Sequence, residues 1–206
     1  MGIPVLILGE SGSGKSASLR NFDPEDVSIF NVARKPLPFR KKLPVKSTAD
    51  YGAIMDGIAK SPKKAFVIDD SQYLMCFESF ARTKETGYGK FTDFALHFYN
   101  LVQFVINATP PDVIVYFLHH TETMDTGKVK AKTMGKMLDN QLTLEGLFSI
   151  VLLCSTDGKK HSFITQSDGY TTTKSPMEMF PDITIDNDLK AVDMTIREYY
   201  ELNAKE

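Results

Sequence analysis

Residues 3–16 read Ile-Pro-Val-Leu-Ile-Leu-Gly-Glu-Ser-Gly-Ser-Gly-Lys-Ser: a short apolar run ending at Gly9, then the pattern Gly-x4-Gly-Lys-Ser over 9–16. The run predicts a buried strand, and each fixed residue of the pattern has a mechanical reason. Gly9, Gly12 and Gly14 permit a tight turn and close backbone approach, so the amides of Glu10, Ser11, Ser13 and their neighbours can surround phosphate oxygens. Lys15 would reach the β- and γ-phosphates of a nucleotide, and Ser16 would set its hydroxyl on Mg2+. A helix expected over 15–21 would turn its N-terminal amides and positive dipole end toward the same anion.

A second signal lies at Phe66-Val67-Ile68-Asp69-Asp70, an apolar strand ending in two acids. Such a strand presents a carboxylate to the Mg2+ shell, which makes Asp69 the metal candidate. Asp70 either orients an attacking water or caps the helix that follows. A further apolar run, Val113 to Leu118, ends in His119-His120-Thr121-Glu122. His119 or Glu122 would sense a γ-phosphate there; alternatively the histidines satisfy loop backbone.

Working outward, apolar runs at Val27 to Val32 and Ala65 to Ile68 add two more buried strands. Helices are expected at Thr48 to Lys60, with Ser47 or Thr48 as N-cap, and at Phe91 to Ala108, where Phe94, Phe98, Leu101, Val105 and Ala108 form one apolar face. Strands alternating with helices of this length indicate an α/β fold with a mostly parallel sheet flanked by helices. After Leu147 the pattern changes. The runs Phe148 to Cys154 and His161 to Gln166, separated by Thr156-Asp157-Gly158, predict a C-terminal antiparallel hairpin, and Ile196 to Leu202 a closing helix. No repeat or Gly/Ser-rich linker divides the chain, so residues 1–206 are expected to form a single domain.

Bulk properties set limits. A net charge of -2 argues against a surface that coats nucleic acid everywhere, so any such binding must be local. Two basic clusters are available: Arg34, Lys35, Arg40, Lys41, Lys42 and Lys46, then Lys128, Lys130, Lys132 and Lys136. Read blandly, both are solvated loops. The two cysteines, Cys76 and Cys154, sit in apolar stretches and suit buried thiols better than a disulfide or zinc site. Without a basic n-region, and with Leu6 where a myristoylation signal wants Ser or Thr, the chain is expected in the cytoplasm, with no membrane partner.

Residues 9–16, 66–70 and 113–122, with the hairpin after 147, together resemble the RecA-like phage ATPases grouped with Sak-type single-strand annealing and recombination proteins. The segment Asn-Val-Ala-Arg-Lys-Pro-Leu-Pro-Phe at 31–39 is similar to the stretch after the second strand in those proteins. The resemblance implies a RecA-like P-loop NTPase core, ATP and Mg2+ binding, a homo-oligomer, and work on single-stranded DNA in the cytoplasm of a bacterial host. It assigns Gly9, Gly14, Lys15 and Ser16 to phosphate and metal, Asp69 to metal, and His119 or Glu122 to sensing. Asp70 and Lys15 complete the catalytic set. RecA-like recombinases carry their catalytic acid after the second strand, where this chain has Val32-Ala33-Arg34, so hydrolysis falls to Asp70, Glu78 or Glu10 or does not occur. The DNA-contacting loops of the family correspond to Thr83 to Phe91, with Lys84, Tyr88 and Lys90, and to Met124 to Lys136, with Lys128, Lys130, Lys132 and Lys136. Cations there would follow the backbone while rings stack on bases. By analogy, Lys136 or Lys174 would reach a neighbour's nucleotide.

Two other classes remain open. A small-molecule kinase would use the same loop, but it needs several arginines around the transferred phosphoryl group, and Arg20, Arg34, Arg40, Arg82 and Arg197 are widely scattered. A nucleotide-dependent assembly module with little hydrolysis fits the missing second-strand acid.

Overall fold

The computed structural model of the chain describes residues 1–87, 89–134 and 143–202. Among these residues, fifteen elements follow in order. They are β1 (Ile3–Gly9), a 3-10 helix (Ser16–Asn21), β2 (Val27–Asn31), β3 (Val45–Ser47), α1 (Tyr51–Lys60), β4 (Ala65–Asp69), α2 (Gln72–Ala81), α3 (Gly89–Ala108), β5 (Ile114–Thr123), β6 (Val129–Ala131), a second 3-10 helix (Leu144–Leu147), β7 (Ile150–Thr156), β8 (His161–Ile164), β9 (Thr184–Asp186) and α4 (Leu189–Tyr199).

The strands form one mixed sheet in the order β3-β2-β4-β5-β1-β7-β8-β9, with β6 paired to β5. From β3 to β7 every neighbour is parallel. Parallel strands in a covered sheet must be apolar on both faces, which is why the central runs lack polar alternation. Alternate residues divide between two cores. Leu6, Leu8, Phe66, Ile68, Val115 and Phe117 face α1, α2 and α3. Val5, Ile7, Val67, Tyr116 and Leu118 face the first 3-10 helix and α4. On α3 the buried residues are Phe94, Phe98, Leu101 and Val105, as the spacing predicts, with Val102 in place of Ala108, which is exposed at the last residue of the helix. No described helix is long and apolar enough to cross a membrane.

The antiparallel pair β7–β8 closes over Thr156-Asp157-Gly158. Asp157 Oδ1 accepts from the amides of Lys159 (2.8 Å) and Lys160 (2.7 Å), and Gly158 takes φ 90°. Asx geometry and a left-handed glycine make this turn readable from sequence.

Several boundaries differ from expectation. The stretch expected as a helix over 15–21 is a six-residue 3-10 turn. α1 begins at Tyr51, capped by Asp50, whose Oδ1 accepts from Ala53 N at 2.6 Å; Thr48 instead caps the preceding turn, its Oγ1 accepting from Asp50 N. The closing helix runs over Leu189–Tyr199 rather than 196–202, capped by Asp188 and buried along Leu189, Val192, Asp193 and Ile196. A carboxylate on the buried face disguised that stripe. β5 continues past Leu118 to Thr123, because its outer half pairs with β6: Thr121 faces Ala131, Glu122 faces Lys130 and Thr123 faces Val129. Residues 129–131, expected as loop, are therefore strand.

Candidate functional site

β1 delivers Gly9 to the carboxyl edge of the sheet, where the chain turns through residues 10–15. Gly12 and Gly14 have φ 82° and 101°, and a Cβ on Gly14 would lie 2.7 Å from His161 Cγ, so the loop tolerates no side chain there. From below, Cys154 of β7 donates its thiol hydrogen to Ser13 O at 2.9 Å. Lys15 folds inward, its Nζ donating to Gly9 O (2.7 Å) and Glu10 O (2.8 Å), and only 6% of the residue is exposed. Burial lowers the Lys15 pKa, against the attraction of Asp70 and Asp69.

β4 brings its two acids to the same edge. Ser16 Oγ donates to Asp69 Oδ1 at 2.8 Å across 53 residues of sequence. Burial raises the Asp69 pKa, opposed by that bond. Asp70 has φ 60°, an uncommon left-handed conformation for a residue with a side chain. It is held by two donors, Lys35 Nζ at 2.7 Å from Oδ2 and His120 Nε2 at 3.0 Å from Oδ1. Burial would raise the Asp70 pKa, but the bonds from His120 and Lys35 outweigh it and hold the carboxyl at about 2.

These groups wall a cavity of about 320 Å3 lined by the glycine loop, Lys15, Ser16, Lys35, Asp69, Asp70, His120 and His161. A second cavity, of about 650 Å3, shares Ala17 and His161 with it and continues over Arg20, Asn21 and Asp186 to Asp188. His161 Nδ1 is buried with no hydrogen-bond partner. Among the described residues no cluster of three or more His, Cys, Asp or Glu could hold a metal ion. The Ser16–Asp69 oxygen pair is the donor set at hand, and it suits a hard cation that takes its remaining ligands from phosphate and water.

The loop residues Gly9 to Ser16 with Asp69 and Asp70 are thus brought together. The two sensing candidates are not. β5 lies between β1 and β4, which sets 119–122 beside the loop, but the pleat directs His120 to the cavity and His119 to the opposite core. His119 packs on Phe98, with ring centroids 5.6 Å apart, and contacts Ser71 Oγ and Lys132 O. Glu122, one pleat further out, pairs with Lys130 at 3.0 Å. His120, Lys35 and His161 were not singled out by the sequence as cavity residues. Adjacency to a named neighbour was the only signal for His120, and tertiary folding alone delivers the other two.

The lysines proposed for nucleic acid fall on two separate elements. Lys84 is exposed in the α2–α3 connection, and Lys90 Nζ donates to Glu85 O at 2.8 Å. On the β5–β6 hairpin, Lys128 and Lys132 are exposed and Lys130 is tied to Glu122. Lys174 hydrogen-bonds through its backbone to Val151 of β7. Tyr88 and Lys136 lie outside the described residues.

His119 carries a pH prediction. Its Nε2–H donates to Lys132 O, so Nδ1 is the acceptor for Ser71, and complete burial pushes its pKa down to about 4. An unfolded chain takes up this proton near 6.5. Between the two values the unfolded state holds more protons, so stability is full above about 6.5 and falls toward pH 4, by about 3 kcal/mol in all. Urea unfolding across that range should show the slope, and His119→Gln should flatten it. An unchanged slope in the variant would assign it to other groups.

No family model matches this chain, and no curated protein matches it in sequence.

Proposed function

We propose that the chain is a RecA-like P-loop ATPase that binds ATP with Mg2+ at the carboxyl edge of its sheet and acts on single-stranded DNA as a homo-oligomer. The observation that carries this reading is the Ser16–Asp69 contact. It sets the hydroxyl of the Gly-Lys-Ser motif against the acid that ends an apolar strand, with the Lys15 ammonium beside them. In this reading the amides of 9–16 surround the phosphates, Lys15 leaves the Gly9 and Glu10 carbonyls for the β- and γ-phosphates, and Ser16 and Asp69 hold Mg2+. The metal would neutralise charge on the phosphate oxygens.

Asp70 and His120 take the part given in the sequence to Asp70 and to His119 or Glu122: they face the cavity together and would orient a water at the terminal phosphate. Asp70 thereby stands in for the acid missing after the second strand. No arginine lines the cavity among the described residues, and Arg82 and Arg197 are already engaged by carboxylates, which weighs against a kinase. β5 continues from His120 directly into the hairpin bearing Lys128, Lys130 and Lys132, which puts the nucleotide cavity and the proposed DNA-binding lysines on one strand.

The test has two halves. A fluorescent ATP analogue should bind in the presence of Mg2+ and be weakened by EDTA, and phosphate should be released on incubation with ATP. A labelled oligothymidine should show an anisotropy rise at low salt that shrinks as salt increases. Absence of nucleotide binding overturns the whole reading. Absence of any DNA signal, with and without ATP and Mg2+, overturns the DNA half alone.

A further inference from the structure

The segment after β2 carries a cation that the structure places with care. Asn31, 4% exposed, clamps Lys35 from both sides: Lys35 N donates to Asn31 Oδ1 at 3.3 Å, and Asn31 Nδ2 donates to Lys35 O. Arg34, at φ 57°, turns the chain immediately before it. The Lys35 side chain lies over the Tyr73 ring, its Nζ 5.3 Å from the centroid, and ends on Asp70 Oδ2. Pro36 and Pro38 stiffen the same wall of the cavity. The backbone is fixed, yet the side chain is 59% exposed at the mouth. An exposed lysine seldom needs such fixing for stability, since surface ion pairs contribute little.

The cavity also has a direction. Ala17 and His161 lead toward the second, larger cavity, while Asp70, His120 and Lys35 form a wall beyond the Ser16–Asp69 pair. A nucleotide with its phosphates in the glycine loop and its nucleoside toward Ala17 and His161 would present its terminal phosphoryl group to that wall. Asp70 alone would repel this group. Lys35 supplies the compensating charge, and an ammonium has three donors, enough to serve a carboxylate and a phosphate oxygen together.

We infer that Lys35 is the terminal-phosphate ligand of this site, sharing its ammonium between Asp70 and the γ-phosphoryl group and so distinguishing nucleoside triphosphate from diphosphate. The inference rests on the P-loop reading above. A diphosphate leaves Lys35 on Asp70; a triphosphate draws it inward and frees an Asp70 oxygen toward water. Lys35 is thus a specificity-determining residue, and its role is chemically distinct from that of Lys15, which is buried beneath the phosphates.

The experiment measures dissociation constants for Mg-ADP and for a non-hydrolysable Mg-ATP analogue by calorimetry, in the unaltered chain and in Lys35→Met and Lys35→Ala. Lys35→Met keeps an unbranched stem against Tyr73, and a thermal melt of each variant confirms that it folds. The expected result is a triphosphate affinity weakened roughly 10- to 100-fold, as for loss of a charge-assisted contact, with diphosphate affinity changed less than about twofold. Equal weakening of both nucleotides, or no weakening of either, overturns the inference while leaving the nucleotide-binding reading intact. If the unaltered chain binds neither nucleotide, the underlying reading fails and the inference with it.

Discussion

Lys15→Ala is expected to weaken nucleotide binding by at least about 100-fold, to the edge of detection, while leaving the chain folded. The ammonium is almost fully enclosed and its present partners are two neutral carbonyls, Gly9 O and Glu10 O. Carbonyl oxygens solvate a buried cation poorly compared with phosphate, so the site holds a charge whose best partner is an anion in the cavity. In the proposed function, removing it would forfeit two or more charge-assisted bonds to the nucleotide phosphates, worth about 3 kcal/mol together, which is about a hundredfold in affinity. The folded state loses far less. Burial already lowers the Lys15 pKa, so taking the ammonium away relieves a desolvation cost while freeing two carbonyls. The check pairs titration of a fluorescent ADP analogue with a melting curve. A variant that melts like the parent and fails to bind supports the role; one that binds like the parent removes Lys15 from the site. Lys15→Arg should not rescue, since a planar guanidinium does not fit a space closed around a single Nζ.

How far the sequence could be read is itself a physical matter. β1, the glycine loop and the Asp69 strand were legible because each is local: a continuous apolar run means burial on both faces, and glycine at a left-handed φ leaves a compositional mark. The β7–β8 hairpin was legible through Asp157-Gly158 for the same reason. α2 was not. Its sequence, Gln-Tyr-Leu-Met-Cys-Phe-Glu-Ser-Phe-Ala, is apolar on nearly all sides and offers no polar stripe to reveal a helical period. β3, β6 and β9 are three residues each, too short to show any period, and exist because a neighbouring strand offers them partners. The same division runs through the candidate site. Ser16 and Asp69 could be paired in advance because two motifs name them, whereas His120 and His161 enter the cavity through sheet order and strand pleat, and Lys35 through the loop that Asn31 holds at the end of β2. One residue of register separates His119 in the core from His120 at the cavity, and apolar patterning cannot tell which of two adjacent histidines faces in.

Asp193→Ala is expected to destabilise the fold by about 3–5 kcal/mol, the largest loss foreseen for a single side chain away from the cavity. Asp193 lies on the buried face of α4 and accepts from Tyr116 Oη at 2.9 Å and from Arg197 Nε at 2.8 Å. Arg197 in turn donates to Asp112 O and Lys64 O, at the entries to β5 and β4. Losing the carboxylate leaves the fully buried Tyr116 phenol without its acceptor and takes the counter-charge from the partly buried Arg197, which keeps only the Asp112 and Lys64 carbonyls, and that uncompensated burial, more than the bond energy, sets the size of the effect. A control follows from the same reasoning. Tyr116→Phe, Asp193→Leu and Arg197→Met together replace every polar member with an apolar one, so the triple variant should recover to within about 1–2 kcal/mol of the parent. Urea midpoints at constant slope would measure both, and a triple variant as unstable as Asp193→Ala alone would refute the account. The consequence reaches the cavity, because Leu189, Val192 and Ile196 of α4 share a core with Leu19 and Phe22 of the turn after the glycine loop. Around them, Asn187 O accepts from Arg20 at 2.6 Å, Asp188 accepts from Asn21 at 2.7 Å, and Asp26 accepts from Lys190 at 2.6 Å. Partial loosening of α4 should therefore weaken nucleotide binding before global unfolding begins, a coupling that binding measured along the urea titration of Asp193→Ala would expose.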